Sequence, residues 1–306
     1  MKSACTFASA ALAALALSVF GGCGEDTGTE GSGSGTVAIQ VSGEGAAVVG
    51  YPYDKNGHRL SFADGWRVTF SKFIVSVGAL HLHTSDGKEA FKGSETYVAD
   101  LHKGPAVLAT YRELAVRRWD RFHFRILPPT GAAVNVNGVA QADLDAMIRG
   151  KYNYWIEGAA EKGGKSYSFR WGLRNPTQNS NCTNGVDGKD GFVVTNNGVT
   201  TGEITVHVDH LFWDSLGSEL SSMRFDAIAA ATRDDTDITF DELGSQSLTD
   251  LRGLDGTPLK DDAGKAIRYN AGSVPLASST LASFVLASSA SQAHVNGLGL
   301  CTVKSL

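Results

Sequence analysis

The sequence predicts a mainly β fold, an antiparallel β-sandwich carrying a few short inserted helices. Three observations predict it. Apolar and polar residues alternate with a period of two over most of the chain after residue 36. Turn-forming Gly, Asn and Asp separate these runs at short intervals. Runs with helical spacing are few and short.

Thr36 to Ser42 (TVAIQVS) and Ala46 to Tyr51 read as the opening strands. Trp66 to His83 is a long strand-like segment whose apolar phase slips twice. Trp66, Val68 and Phe70 share one parity, Phe73, Val75 and Val77 the other, and Leu80 and Leu82 return to the first. Only bulges or a break allow this in a strand, and Gly78 is a natural place for one. Further strands are expected at Thr96 to Leu101, Arg121 to Ile126, Tyr152 to Ala159, Ser166 to Leu173 and Gly202 to Phe212. Glu161 to Lys165, with Gly163-Gly164 at its centre, should close a hairpin. Ala140 to Arg149 reads as a short helix. Leu216, Leu220, Met223, Ala227 and Ile228 recur at helical spacing and predict a longer one over Leu216 to Ala231. Ser278 to Gln292 fits a helix or a Ser/Ala-rich strand. Tyr152, Tyr154, Tyr167, Phe169 and Trp171 alternate along the expected hairpin and should fill the core.

Ahead of this domain stand the parts of an export signal. Lys2 is followed by the apolar stretch Ala8 to Phe20 and by Gly21-Gly22, a run shorter than the roughly 20 residues a membrane-spanning helix takes. Val19-Phe20-Gly21-Gly22-Cys23 resembles the lipobox of bacterial lipoproteins, with Phe20 where Leu is usual. That resemblance implies a signal peptide over 1–22, cleavage before Cys23 and a lipid on its thiol. Gly24 to Thr36 contains no large apolar residue and suits a flexible tether, so residues 23–36 are read as lipidated cysteine and tether. Several acyl chains on one cysteine anchor a protein stably, and Gly24 after the cysteine points to the outer membrane by resemblance to the enterobacterial sorting rule. The expected location is the cell envelope, with the membrane and another envelope protein as candidate partners. Residues 37–306 then form a single β-rich domain, with a helical and acidic insertion at about 214–245. A formal net charge of -5 and the lack of a basic cluster exclude a nucleic-acid surface. Cys182 and Cys301 remain as a pair and predict a disulfide in an oxidising compartment.

The chemistry concentrates in the histidines. His81-Leu82-His83 and His207-Val208-Asp209-His210 crowd candidate ligands into two strand-like stretches. In a strand, residues i and i+2 share a face, so His81 and His83 project together, opposite Leu80 and Leu82. His207 and Asp209 likewise project together, and His210 points away unless the strand ends before it. If the two strands are neighbours, His81, His83, His207 and Asp209 converge on one copper or zinc ion, with His102 as a further loop ligand. His123 shares a face with Arg121 and Arg125 and is expected to contact anions instead.

Asp234 to Leu243 looks like the second half of an EF-hand loop, with Asp235 at position 5 and Glu242 at position 12. Positions 1, 3 and 6 are Ala231, Arg233 and Thr236, so a calcium site here is degenerate, with Asp234 or Asp237 as substitutes. Calcium is therefore the weaker cofactor expectation, and Thr239 with Glu242 also reads as a capping box opening a short helix.

In order, Trp66 to Leu82, Tyr97 to Leu101 and Phe122 to Pro128 (FHFRILP) resemble the periplasmic copper-binding β proteins encoded beside methanobactin-type diheme peroxidases, although this chain lacks their four-cysteine pattern. The His207 to Leu243 block resembles one in uncharacterised lipoproteins of myxobacteria-like organisms, which implies exported metal binding. G-x-S-x-G, H-E-x-x-H, P-loop and dinucleotide signatures are missing, so a non-catalytic role is favoured. The expected function is a lipid-anchored metal-binding protein. The alternative is a cell-surface module for glycan or protein, with Tyr154 and Trp171 lining a groove.

Overall fold

The structure is a computed structural model and describes residues 31–55, 57–217, 221–232, 235–261 and 263–306. Cys23 and the expected signal segment lie outside these residues, as does Asp234.

The fold is mainly β with a few short helices. A four-stranded sheet has the order Ala293–Val295, Val199–Val206, Ser34–Ser42, Ala106–Ala115. Its two middle strands run parallel, from Thr36↔Val199 to Ser42↔Thr205, while the outer pairings are antiparallel. A ten-stranded sheet is built around Arg67–His83, 17 residues long, which pairs antiparallel with Tyr154–Lys162 and then Arg121–Ile126 along one side and with Thr96–Asp100 on the other. Val37, Ile39 and Val41 of the smaller sheet share one buried core with Phe70, Phe73, Ile156, Phe169 and Trp171 of the larger.

Both phase slips of the long strand are bulges. Lys72 faces Glu157 and Phe70 faces Gly158, so Ser71 is an extra residue. Between Gly78 and His81 the strand advances three residues while its partner moves two, from Arg125 to His123. Ala79, at φ +51°, absorbs the second excess. Each extra residue turns the following side chains over, which is how Val68, Phe73, Val77, Leu80 and Leu82 all reach the core. Gly158 is required at the first bulge, because a Cβ there would stand 2.3 Å from the Thr69 carbonyl oxygen. The expected hairpin turns at Gly163 and Gly164, both at positive φ.

The structure corrects several sequence-based expectations. Ala46 to Tyr51 is not a strand: Glu44–Val49 is a helix that buries Ala46 and Ala47 and leaves Val48 and Val49 exposed. The helix expected over Leu216 to Ala231 shrinks to Asp226–Ala229. Met223 pairs with Trp213 in a β-bridge, and Leu216, Met223 and Phe225 reach the core from irregular backbone, while Ala227 and Ile228 do so from the short helix. The first strand begins at Ser34, within the expected tether. Ser278 to Gln292 resolves as the helix Leu281–Ser289, capped by the Thr280 side chain accepting from Ser283 N–H. Cys182 and Cys301 form a disulfide. Among the described residues no helix is long and apolar enough to cross a membrane.

Candidate metal centre

The strand Val199–Val206 lies in the interior of the four-stranded sheet and stops where its partner Ala293–Val295 stops. His207 is held at the exit by two hydrogen bonds with Gln292, its N–H donating to the Gln292 carbonyl at 2.8 Å and its carbonyl accepting from Gln292 Nε2 at 3.2 Å. Val208–Phe212 then forms a 3-10 helix, anchored by the buried side chains of Val208, Leu211 and Phe212. Residues three apart eclipse in such a helix. His207 and His210 therefore stack on one side, with ring centroids 5.3 Å apart and planes 15° from parallel. This ending of the strand is what brings His210 back beside His207. On its far side His210 packs against Trp213 at 3.6 Å.

Hydrogen bonds fix which nitrogen of each ring is free. A carbonyl oxygen only accepts, so His207 Nε2–H donates to Gly297 O at 2.9 Å and leaves the Nδ1 lone pair open. Ser291 Oγ donates its own proton to Ser288 O and so accepts from His210 Nδ1 at 2.9 Å, which leaves His210 Nε2 open. Metal-binding imidazoles ordinarily carry such oxygen partners on the second nitrogen. His294 Nε2–H donates to Ser291 O at 3.0 Å, and its buried Nδ1 has no hydrogen-bond partner.

His207, Asp209 and His210 each offer one ligand atom, and these atoms all lie within 4.8 Å of one another. His207 Nδ1 is 4.0 Å from Asp209 Oδ1 and 3.9 Å from Glu44 Oε2. Two atoms bound to one ion at about 2.0–2.2 Å lie at most about 4.4 Å apart, so a small closure completes the site. Burial holds the Asp209 carboxyl above its ordinary value, with Glu44 adding to the effect and His207 opposing it. Burial, reinforced by His207 and His294, holds His210 well below the ordinary imidazole value. Burial and His207 bring His294 down to about 4. His210 and His294 are thus neutral at pH 7, the form in which imidazole binds a metal.

His81 and His83 do not join this group. Their strand belongs to the ten-stranded sheet and is no neighbour of Val199–Val206, so the expected convergence of His81, His83, His207 and Asp209 does not occur. They meet His123 instead, the histidine expected to contact anions. The register sets His81 opposite His123, and His83 Nε2 lies 2.8 Å from His123 Nε2. That separation is too short for face-to-face stacking. With planes 11° apart and centroids at 4.9 Å the rings meet nearly edge to edge, as in an N–H···N hydrogen bond. His83 Nδ1–H donates to Thr84 O at 2.9 Å, so His123 supplies the shared proton. Burial, followed by His83, His81 and Arg121, lowers His123 to about 4. His81 stacks on His83 at 4.4 Å, with its Nε2 3.2 Å from Glu89 Oε2 but out of line for a hydrogen bond. The arginines that suggested anion contact are engaged, Arg121 with Asp190 at 3.2 Å and Arg125 with Gln178 at 3.0 Å.

The remaining candidates lie elsewhere. His102 sits in the 3-10 turn Leu101–Lys103 and donates from Nδ1 to Ala47 O at 3.0 Å. Glu242 Oε2 accepts from Thr239 N and Oγ1, both at 2.8 Å, the carboxylate arm of the expected capping box. Asp235 Oδ1 accepts from Asp237 N at 3.0 Å, and Asp237 Oδ1 accepts from Ser168 Oγ at 2.7 Å, so Asp235, Asp237 and Glu242 are each engaged with a protein donor. Tyr154 and Trp171 are 1% and 0% exposed, in the core and not on a groove. Sequence reasoning missed His294, Ser291, Gly297 and Glu44, which reach the site from distant segments with no spacing signal of their own. Compared with family models, with curated proteins and with solved structures, the chain finds no match.

Proposed function

We propose that this chain is an exported, lipid-anchored metal-binding protein whose centre is His207, Asp209 and His210. The observation that carries the reading is the convergence of these three ligand atoms within 4.8 Å, with the second nitrogen of each imidazole already partnered by an oxygen. Two imidazoles and one carboxylate suit zinc or copper, with N and O bonds of about 2.0–2.2 Å. The Cys182–Cys301 disulfide accords with an oxidising compartment, and the lipobox-like Cys23 with a tether to the membrane.

The test is metal analysis of the full chain expressed in a bacterium that exports it. One equivalent of zinc or copper per chain is expected, lost in the double variant His207→Ala/His210→Ala. Metal-free protein that also takes up no zinc or copper on titration overturns the reading, as does a double variant that retains the metal. In the same preparations, Cys23→Ala should abolish incorporation of labelled fatty acid and release the protein from membranes.

A further inference from the structure

The three candidate donors all line a cavity of about 300 Å³. Glu44, Tyr51, Lys55, Leu60, Trp213 and Leu298 form much of the rest of its lining, which is largely apolar. A volume of that order matches small-molecule sites, and a metal ion alone does not need it. Since His207, Asp209 and His210 come from four consecutive residues, they cover one side of an ion they share, and the other side faces the cavity. Zinc and Cu(II) take four or more ligands, so three donors leave at least one position. The charges around it are unequal. Lys55 Nζ contacts Glu44 Oε1 at 2.5 Å, and Glu44 Oε2 is 3.9 Å from His207 Nδ1. Asp209 and Glu44 outweigh Lys55 by one negative charge, and a divalent ion reverses this to one positive charge.

We infer that the metal centre keeps an exchangeable position, and that the cavity takes a small monoanion with an apolar tail, such as a short-chain carboxylate, headgroup on the metal and tail against Leu60 and Trp213. This rests on the metal reading above. The low-dielectric lining strengthens the pairing of the anion with the ion, and it excludes water from the tail. Without metal the same cavity is net negative and rejects the anion, so binding is strictly metal-dependent.

The experiment loads the full chain with Co(II) and follows its visible absorption during titration with acetate, hexanoate and hexylammonium. Hexanoate should shift the spectrum saturably and bind at least ~10-fold more tightly than acetate, since each buried methylene adds about 0.8 kcal/mol. Hexylammonium should leave the spectrum unchanged, and calorimetry should find no hexanoate binding to the metal-free chain. Leu60→Trp, which fills part of the cavity and replaces no donor, should keep Co(II) and lose hexanoate. Co(II) bound with a spectrum that no anion moves overturns the inference and leaves the metal reading standing. So does equal affinity for acetate and hexanoate. A chain that takes up no Co(II) overturns both.

Discussion

Two groups of histidines, each prominent in the sequence as a close pair, end in opposite chemical states. On the larger sheet, His83 and His123 turn their nitrogens toward each other and share a proton at 2.8 Å. At the end of the smaller sheet, His207 and His210 turn one nitrogen each to Gly297 O and Ser291 Oγ and keep the other free, beside Asp209. The neighbours differ as well. The first group has Arg121 among the charges that depress His123, whereas the second has two carboxylates near His207. Spacing brings imidazoles together. Whether they hold a proton or a cation depends on what occupies the second nitrogen and on the sign of the surrounding charge.

Metal affinity should separate the two groups most sharply. His207→Ala, Asp209→Asn and His210→Ala should each weaken zinc or copper binding by at least ~100-fold in chelator competition, because each removes a direct ligand and loss of an outer partner alone costs 10–100-fold. His81→Ala, His83→Ala and His123→Ala should each leave it within about 3-fold. A loss at His83 as large as that at His207 would erase the distinction.

Ser291→Ala is the next largest case. It removes the oxygen that orients His210 and should cost about 10–100-fold in metal affinity, with the metal-free fold retained by circular dichroism. An unchanged affinity would mean that His210 needs no such partner.

The smallest effect is on stability against pH in the metal-free protein. His123 and His294 are held at about 4, and His210 and His81 are also lowered, whereas unfolded imidazoles titrate near 6.5. Between these values the unfolded chain binds more protons, so stability falls as pH is lowered from about 6.5 toward 4. Asp209 and Asp64, raised by burial, work in the opposite direction, but the four lowered imidazoles outnumber them. Chemical denaturation at stepped pH should show this slope. His123→Phe should flatten it by one group's share, and an unchanged slope would mean that the His83–His123 pair does not resist protonation.

The strands were legible because alternation survives interruption: two parity changes between Trp66 and Leu82 marked two bulges of one strand. The Leu216 to Ala231 pattern misled for a related reason. Leu216, Met223, Ala227 and Ile228 are buried as the helical spacing implied, yet only the last two are helical, and tertiary contacts hold the backbone before them, with Asp64 Oδ2 accepting from both Phe225 N at 2.6 Å and Asp226 N at 2.8 Å. For the candidate metal centre, the H-x-D-H run named the candidate donors, but their convergence required the strand to end at Val206. Nothing local fixes that ending, because the partner strand lies about ninety residues away. His294 and Ser291 were illegible for the same reason.

The Cys182–Cys301 bond has a consequence for how such a centre is assembled and kept. It closes a covalent ring spanning 119 residues, and His207, Asp209, His210, Ser291, His294 and Gly297 all lie within it. The proposed metal donors and the oxygens that orient them are therefore tied to each other by a covalent link of their own. Their encounter in an unfolded chain is a search inside a loop, with its closure entropy already removed. A single peptide cut between the two cysteines leaves both halves joined by sulfur. Reduction after a cut between His210 and Ser291 would remove the last covalent link between the orienting segment and the candidate donors.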